Sequence, residues 1–424
     1  MGALTPLVDR PAPSAPLPAG RRLGGKRAAM VVFSYYPADP RPRRAAEALV
    51  EEGMAVDVVC LRAGREPRRE RVNGVDVLRF PLERRRGGAV AYVLQYAAFI
   101  MAAFTVLGLR SLARRYALVH VHNMPDILVL SALVPKALGA RVILDLHDPM
   151  PELMMTIFDL GPDSRWVRAL RRLEKWSIGP ADLVLTVNLA CQRLFRSRSA
   201  PAEKVHVVMN SPDEEIFGGR PPISGNGARR DASRPFVLMY HGSLVERNGL
   251  GLAVEAVARL RASGARVELR IYGHANAFLT RVMASVQARG LAETIRFLGP
   301  RRLEEIAAAI DECDAGVIPN QRSVFTELNT PTRIFEYLAL GKPVIAPRSA
   351  GILDYFGEEE LVFFELGDAK DLARKIAWVL SAPVGAAEVV RRGQKVYWEH
   401  AWRQEREVLL DRVDDLVNGR RPAP

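Results

Sequence analysis

Residues 329–346 read NTPTRIFEYLALGKPVIA, and the register of this stretch decides the architecture. Thr330 is a good N-cap and Pro331 a good first helical residue. Ile334, Phe335 and Leu338 supply a buried stripe, and Gly341 supplies a left-handed stop. PVIA then reads as a strand buried on both faces, the kind found in parallel sheets. The same helix keeps Thr332, Arg333 and Glu336 three and four residues apart, and so on one side. Two readings fit that trio. One is a surface Arg–Glu pair worth a few tenths of a kcal/mol. The other is a helix N-terminus that offers amides to a phosphate, with a carboxylate reaching ribose hydroxyls.

Working outward, short apolar strands alternate with helical stretches on both sides. FVLMYHG, VELRIYG, IRFLG, AGVIPN and LVFFE are strands of the second half, separated by helices near 250–263 and 302–312. MVVFS, AVDVVCL, LVHVH, RVILDLH and LVLTVN play the same part in the first half. Such alternation calls for parallel sheets with helices on both faces. Residues 213–234, Gly/Pro-rich and polar, read as a linker. The expectation is α/β: a Rossmann-like domain over 30–212 and a second over 235–394. Residues 395–424, containing VYWEHAWRQEREVLLDRVDDLV, form a long amphipathic helix that returns to the first domain. Ligands bind at the carboxyl ends of such sheets, so a cleft between the two is the place to look.

Net charge is +12, and all of it sits in residues 1–210; the rest balances. Runs such as RPRR (41–44), EPRRERVNG (66–74) and ERRR (83–86) carry it. This asymmetry points to an anionic partner for the first half, or to solvated faces. No basic platform interleaved with aromatics marks a nucleic acid site. Three distant cysteines, Cys60, Cys191 and Cys313, fit a reducing, cytoplasmic setting. Residues 1–29, rich in Pro and Ala, read as a disordered tail without a secretion signal. The uncharged run 87–109, between Arg86 and Arg110, is long enough to span a bilayer. Strands of one sheet on either side argue against a span. It is a buried crossover helix, or one whose outer face meets the interface of an anionic membrane.

YHGSLVERNG (240–249) is a strand, a glycine turn and a helix start, with Ser243, Arg247 and Asn248 in the loop. Gly242 lets the backbone approach a ligand, and Arg247 can hold a phosphate oxygen. It is neither a Walker A loop nor a G-x-G-x-x-G. Together with FLGPRRLEEIAAAIDECDAGVIPN, TPTRIFEYLALGKPVIA and GDAKDLA it resembles the nucleotide-sugar domain of family 4 glycosyltransferases, which have the GT-B fold. YYPADPRPRRAAEALVEEG, VHVHNMPD and LDLHDPMPE extend the likeness to the first half.

The resemblance implies roles. Glu336 matches the glutamate that binds the donor ribose. The backbone at Thr330, Pro331 and Thr332 lies near the diphosphate, with Arg247 as the cation, and Gly299 and Pro300 lie by the base. His147 matches the active-site histidine. Two positions depart from the pattern. The first motif glutamate is replaced by Leu328, with Glu327 one residue out of register. The usual Arg and Lys of the phosphate loop are Ser243 and Asn248. Asp39, Arg41 and Asp148 are acceptor-side candidates; Asp39 and Arg41 read equally well as a salt-bridged loop, and Asp148 as a helix cap. His120 and His122 share a strand face, but no third ligand has suitable spacing for a metal, so none is expected.

The implied activity is retaining, metal-independent transfer of a sugar from a nucleoside-diphosphate donor to a glycan or polyprenyl-linked acceptor. It calls for no cofactor. The alternatives are a nucleotide-sugar 2-epimerase and a GT-B-like partner that binds without turnover.

Overall fold

The computed structural model describes residues 22–82, 89–222 and 234–419. Residues 1–21 of the expected tail, the ERRR run and half of the expected linker (223–233) lie outside these.

The first half forms an eight-stranded sheet. Its strands are β1 Arg27–Tyr35, β2 Ala55–Leu61, β3 Arg69–Val72, β4 Val75–Phe80, β5 Leu118–His122, β6 Arg141–Leu146, β7 Leu183–Thr186 and β8 Val205–Val207, in the order 3-4-2-1-5-6-7-8. Helices α1 Pro40–Glu51, α2 Ala89–Ala113, α3 Leu133–Ala137, α4 Met150–Phe158, α5 Arg165–Ile178 and α6 Leu189–Arg198 cross between strands, with a 3₁₀ turn over Asp126–Ala132. β1 begins inside the segment read as tail, and Leu23 is buried in the core. Arg22 adds contacts with Glu407 and Asp411, so residues 22–29 belong to the domain.

All pairings are parallel except β3–β4. That antiparallel hairpin turns at Asn73 and Gly74, both with positive φ (48° and 81°), as a two-residue Asn-Gly turn requires. The charge of EPRRERVNG masked this turn in the sequence.

The second half is a six-stranded parallel sheet ordered 11-10-9-12-13-14. Its strands are β9 Phe236–His241, β10 Val267–Tyr272, β11 Ile295–Phe297, β12 Ala315–Val317, β13 Val344–Arg348 and β14 Val362–Glu365. The helices are α7 Leu250–Ala262, α8 Ala277–Ala288, α9 Leu303–Glu312, α10 Thr332–Ala339, α11 Ala350–Leu353 and α12 Ala369–Ser381. Within the opening stretch, α10 buries Ile334, Phe335 and Leu338 to 1% exposure or less. Burial of each such side chain contributes roughly 1.5–3 kcal/mol, which fixes which side of the helix is left for function. Gly341 takes φ +70° where a Cβ would strike the carbonyl of Pro221, 2.4 Å away. Helix stop and interdomain crossing thus meet at one glycine.

The carboxyl-terminal segment is two helices, α13 Pro383–Glu399 and α14 Trp402–Asn418, where the sequence pattern suggested one. The break at His400–Ala401 lets Ala401 bury fully, and the His400 carbonyl accepts from the Ser211 hydroxyl. α14 then packs on the first domain, with Leu409, Leu410 and Val413 buried beside Leu49 and Met54. Phe217, assigned to the linker, is also buried, in the core of the second domain.

Candidate active site

α10 is held against the end of β9. The Tyr337 hydroxyl donates to the Met239 carbonyl (2.8 Å), and an Arg333 guanidinium N–H donates to the His241 carbonyl (2.6 Å). Arg333 also stacks over the Tyr240 ring, 5.0 Å from its centroid. Arg333 is therefore committed to the strand end, and the Arg–Glu surface pair does not form. Glu336 instead lies 3.2 Å from His241 Nε2, where the angles do not make a hydrogen bond. Burial pushes the Glu336 carboxyl up to about 7, opposed by Arg333 and Arg44. Burial, reinforced by Arg333, pushes His241 down to about 3, so it stays neutral. A buried carboxylate oxygen without a hydrogen-bond partner is expensive to keep. A ligand hydroxyl would satisfy it.

Glu336 and Thr332 face a cavity of about 200 Å³ whose other wall comes from the first domain: His147, Asp39, Arg43, Arg44 and Asn210 among them. His147 follows β6, and its backbone N–H donates to Asn123 Oδ1 (3.1 Å). Its Nδ1 is buried and unpartnered. The sequence-predicted histidine and glutamate, far apart in the chain, thus share one interdomain cavity.

A larger cleft, about 1220 Å³, opens beside it. Ser243, Arg247 and Asn276 line it from the second domain, and Tyr35, Met155, Ile157 and Leu160 from the first. Burial lowers the Arg247 guanidinium, and Asp148 across the cleft raises it. Burial raises Asp148 in turn, while His147 and Arg247 oppose it. Three glycines with positive φ mark the ends of neighbouring strands: Gly242 (+112°), Gly273 (+155°) and Gly299 (+79°). Gly242 N–H donates to the Tyr272 carbonyl and Gly273 N–H to that of Gly299, both at 3.1 Å. A Cβ at Gly273 would lie 2.4 Å from the Gly242 carbonyl oxygen. Pro300 follows this ladder. Gly273, in VELRIYG, went unremarked in the sequence, although its place after a strand matches that of Gly242.

Several assigned residues turn out to hold structure. Thr330 does not cap α10; Pro331 occupies the N-cap position. The Thr330 hydroxyl donates to the Gly351 carbonyl (2.7 Å) and accepts from Asn188 of the first domain (3.2 Å). Asn188 also donates to the Leu328 carbonyl, and Leu328 packs on the core of the first domain. Its side chain is an interdomain contact where a carboxylate would be misplaced. Glu327 pairs with Arg322 at 3.1 Å and does not line the cavity with Glu336. The Asn248 amide donates to the Ser243 carbonyl (2.9 Å) and closes the loop on itself. Asp39 caps α1 while also lining the cavity.

Arg41 lines the same cavity, with most of its guanidinium already committed inside the protein. Only 9% exposed, it holds both Asp145 oxygens (2.8 Å each) and reaches the Val208 carbonyl and Asn210. Arg44 is equally buried and donates to the Ser211 carbonyl. The RPRR run therefore contributes two of its arginines to the interior, where spacing along the chain suggested a solvated face. Asp145 also stands 3.5 Å from His120 and 3.3 Å from His122. A third potential ligand thus exists, supplied by the neighbouring strand rather than by sequence spacing. The cation beside it is Arg41. Burial raises the Asp145 carboxyl, and Arg41 with the histidines overrides this, leaving it well below the usual range.

Two facing Rossmann-like domains with a residue constellation shared across the cleft define a GT-B protein. Residues 38–211 match the Glycosyl transferase 4-like domain family and residues 235–382 the Glycosyl transferases group 1 family. The chain belongs to the family 4-like glycosyltransferases. It is 26% identical over 212 residues to the amylovoran biosynthesis glycosyltransferase AmsK of Erwinia amylovora, covering 49% of each chain. It is 25% identical over 200 residues to the D-inositol 3-phosphate glycosyltransferase of Corynebacterium jeikeium, covering 45% of this chain and 46% of that one. These matches span about half the length of each relative. In fold it is similar to the sucrose-phosphate synthase of Thermosynechococcus elongatus (TM-score 0.73, 18% identity, 93% of this chain and 100% of that one). Anabaena Alr3699/HepE in complex with UDP-glucose is similar too (TM-score 0.70, 15% identity, 92% and 99%).

Proposed function

We propose that the protein is a retaining glycosyltransferase that moves a sugar from a nucleoside-diphosphate donor to a glycan or lipid-linked acceptor in cell-surface polysaccharide synthesis. The observation that carries this reading is the cavity in which His147 of one domain meets Thr332 and Glu336 of the other. Glu336 would accept from ribose hydroxyls, relieving its unpartnered oxygen. Arg247 and the free amides at the start of α10 would offset charge on the departing diphosphate, without a metal ion or cofactor. Each such contact stabilises a transition state by roughly 2–4 kcal/mol. His147 would sit by the donor sugar. Asp39 and Arg41, which line the cavity with His147, and Asp148, close enough to Arg247 to interact with its charge, are the acceptor-side candidates. The setting is cytoplasmic, at the inner face of a membrane.

Support for a nucleotide-sugar donor also comes from Alr3699/HepE, whose structure holds UDP-glucose. Leu328 is the observation that favours the second reading, a partner that binds donor without turnover. The discriminating experiment is calorimetry and turnover with a panel of nucleotide sugars. One donor should bind, and Glu336→Ala should weaken it by roughly 1.5–3 kcal/mol, as loss of a charged hydrogen bond does. Binding unchanged by Glu336→Ala would remove that residue from the donor site. Binding without transfer to any acceptor would support the second reading, and conversion of donor alone would indicate the epimerase.

A further inference from the structure

The helix α2 is apolar all round, yet only one side of it is used. Phe99, Ile100, Ala103 and Leu107 are buried in the sheet core. On the opposite side, Val93, Leu94, Met101, Leu109 and Leu112 are 63–71% exposed. Their spacing makes a continuous stripe of helical period. Thr105, the polar residue within it, turns its hydroxyl back to the Met101 carbonyl (2.9 Å) and so presents its methyl group. A solvated helix of a domain this size would place charges there. From Val93 to Leu109 this one carries none, and Arg110, Arg114 and Arg115 follow at its end.

α5 lies in the same layer. Both helices pack against the 3₁₀ turn Asp126–Ala132, and Ile178 of α5 shares the core cluster of α2, whereas α1 and α14 cover the other sheet face. The outer side of α5 shows Arg165, Arg168, Arg172 and Lys175 interleaved with Trp166 (73% exposed) and Trp176 (49%). Its one acid, Glu174, is buried against Arg198. Asp159 and Asp163, in the preceding loop, are exposed acids. The end of α4 packs beside α5, and there Phe158 is 61% exposed and Ile157 47%. Ile157 also lines the large interdomain cleft, with Met155 and Leu160.

We infer that the outer faces of α2, the end of α4 and α5 form one surface that seats the protein on an anionic bilayer, with the cleft opening beside the lipid. The chemistry singles out a membrane interface over a protein partner. Exposed tryptophans among arginines match the amphipathic layer between headgroups and acyl chains. A continuous aliphatic stripe with basic ends matches shallow insertion flanked by phosphates. α2 is long enough to span a bilayer, but its other side is occupied by the sheet, so it lies in the interface. This inference deepens the functional reading and rests on it in one respect: it makes the acceptor a lipid-linked one, reached past Ile157.

The test is flotation of the full chain with vesicles of phosphatidylcholine alone and of phosphatidylcholine with phosphatidylglycerol, at low and high salt. Binding should require the anionic lipid and weaken as salt rises. Arg168→Glu with Arg172→Glu should reduce it by about tenfold or more, given the worth of each basic residue at such a surface. Met101→Glu with Leu109→Glu, and separately Trp166→Ala with Trp176→Ala, should each reduce it with thermal melting unchanged. Because the pairs lie on different helices, misfolding of one leaves the others to decide. Wild-type binding to neutral and anionic vesicles alike, or to neither, overturns the inference. So would self-association in solution that the α2 variant abolishes, with no vesicle binding, since the surface would then be protein-covered. Donor calorimetry on the same samples keeps the two conclusions separate: vesicle binding without any donor sinks the functional reading alone.

Discussion

Replacing Glu336 by glutamine should stabilise the protein at alkaline pH and do little in acid. The carboxyl is moved from the usual 4.5 to about 7, chiefly by burial, with Arg333 and Arg44 opposing. A raised carboxyl favours the folded state least when it must ionise. Its cost is absent below 4.5, where both states are protonated, grows as pH climbs toward 7, and is complete above that. Fully developed it amounts to about 3 kcal/mol, at 1.36 kcal/mol for each pH unit between the two values. Most of it, about 2–3 kcal/mol, appears between pH 5 and 8. Glutamine keeps the shape and carries no such cost. His241, pushed down to about 3, is neutral throughout this window and does not contribute to the difference. Urea unfolding of wild type and Glu336→Gln at pH 5 and pH 8 reads the quantity directly. The variant should gain about 2–3 kcal/mol on the wild type between the two pH values. A difference that stays constant within about 0.5 kcal/mol would refute the argument that burial dominates at this carboxyl.

Arg41→Ala should cost about 3–5 kcal/mol in equilibrium unfolding, because Asp145 would be left buried without its guanidinium. A cost near zero would show that the histidines alone satisfy the carboxylate. Gly273→Ala should destabilise the second domain by about 1–3 kcal/mol and blunt donor binding, since the added methyl meets the Gly242 carbonyl and φ is +155°. Unchanged melting would mean that the strand ends relax freely.

Much of this protein is legible one stretch at a time. NTPTRIFEYLALGKPVIA specifies its helix, its stop at Gly341 and its buried strand because propensity, period and turn chemistry agree within eighteen residues. The alternating strands announce two parallel sheets for the same reason; Glu336 stands out on the polar side of its helix, and His147, just after a strand, stands out through the family resemblance. The hairpin at Asn73–Gly74 is harder to read, because its flanking strands are short and β3 is mostly charged, leaving the dipeptide alone to set strand direction.

What the chain could not declare locally is where each cation goes. Arg41 and Arg44 read as surface charge until β6 supplies Asp145 and the crossing segment supplies Ser211, 104 and 167 residues away. Arg333 and Glu336 are ideally spaced for an ion pair, yet the β9 carbonyl claims the arginine and leaves the glutamate to the cleft. Leu328 departs from its family pattern and finds its partner in the other domain. Sequence by itself determined the elements, because hydrogen bonding and periodicity act over a few residues. Tertiary structure alone decided the partners of buried charge, because desolvation penalises an unpaired ion wherever the fold places it.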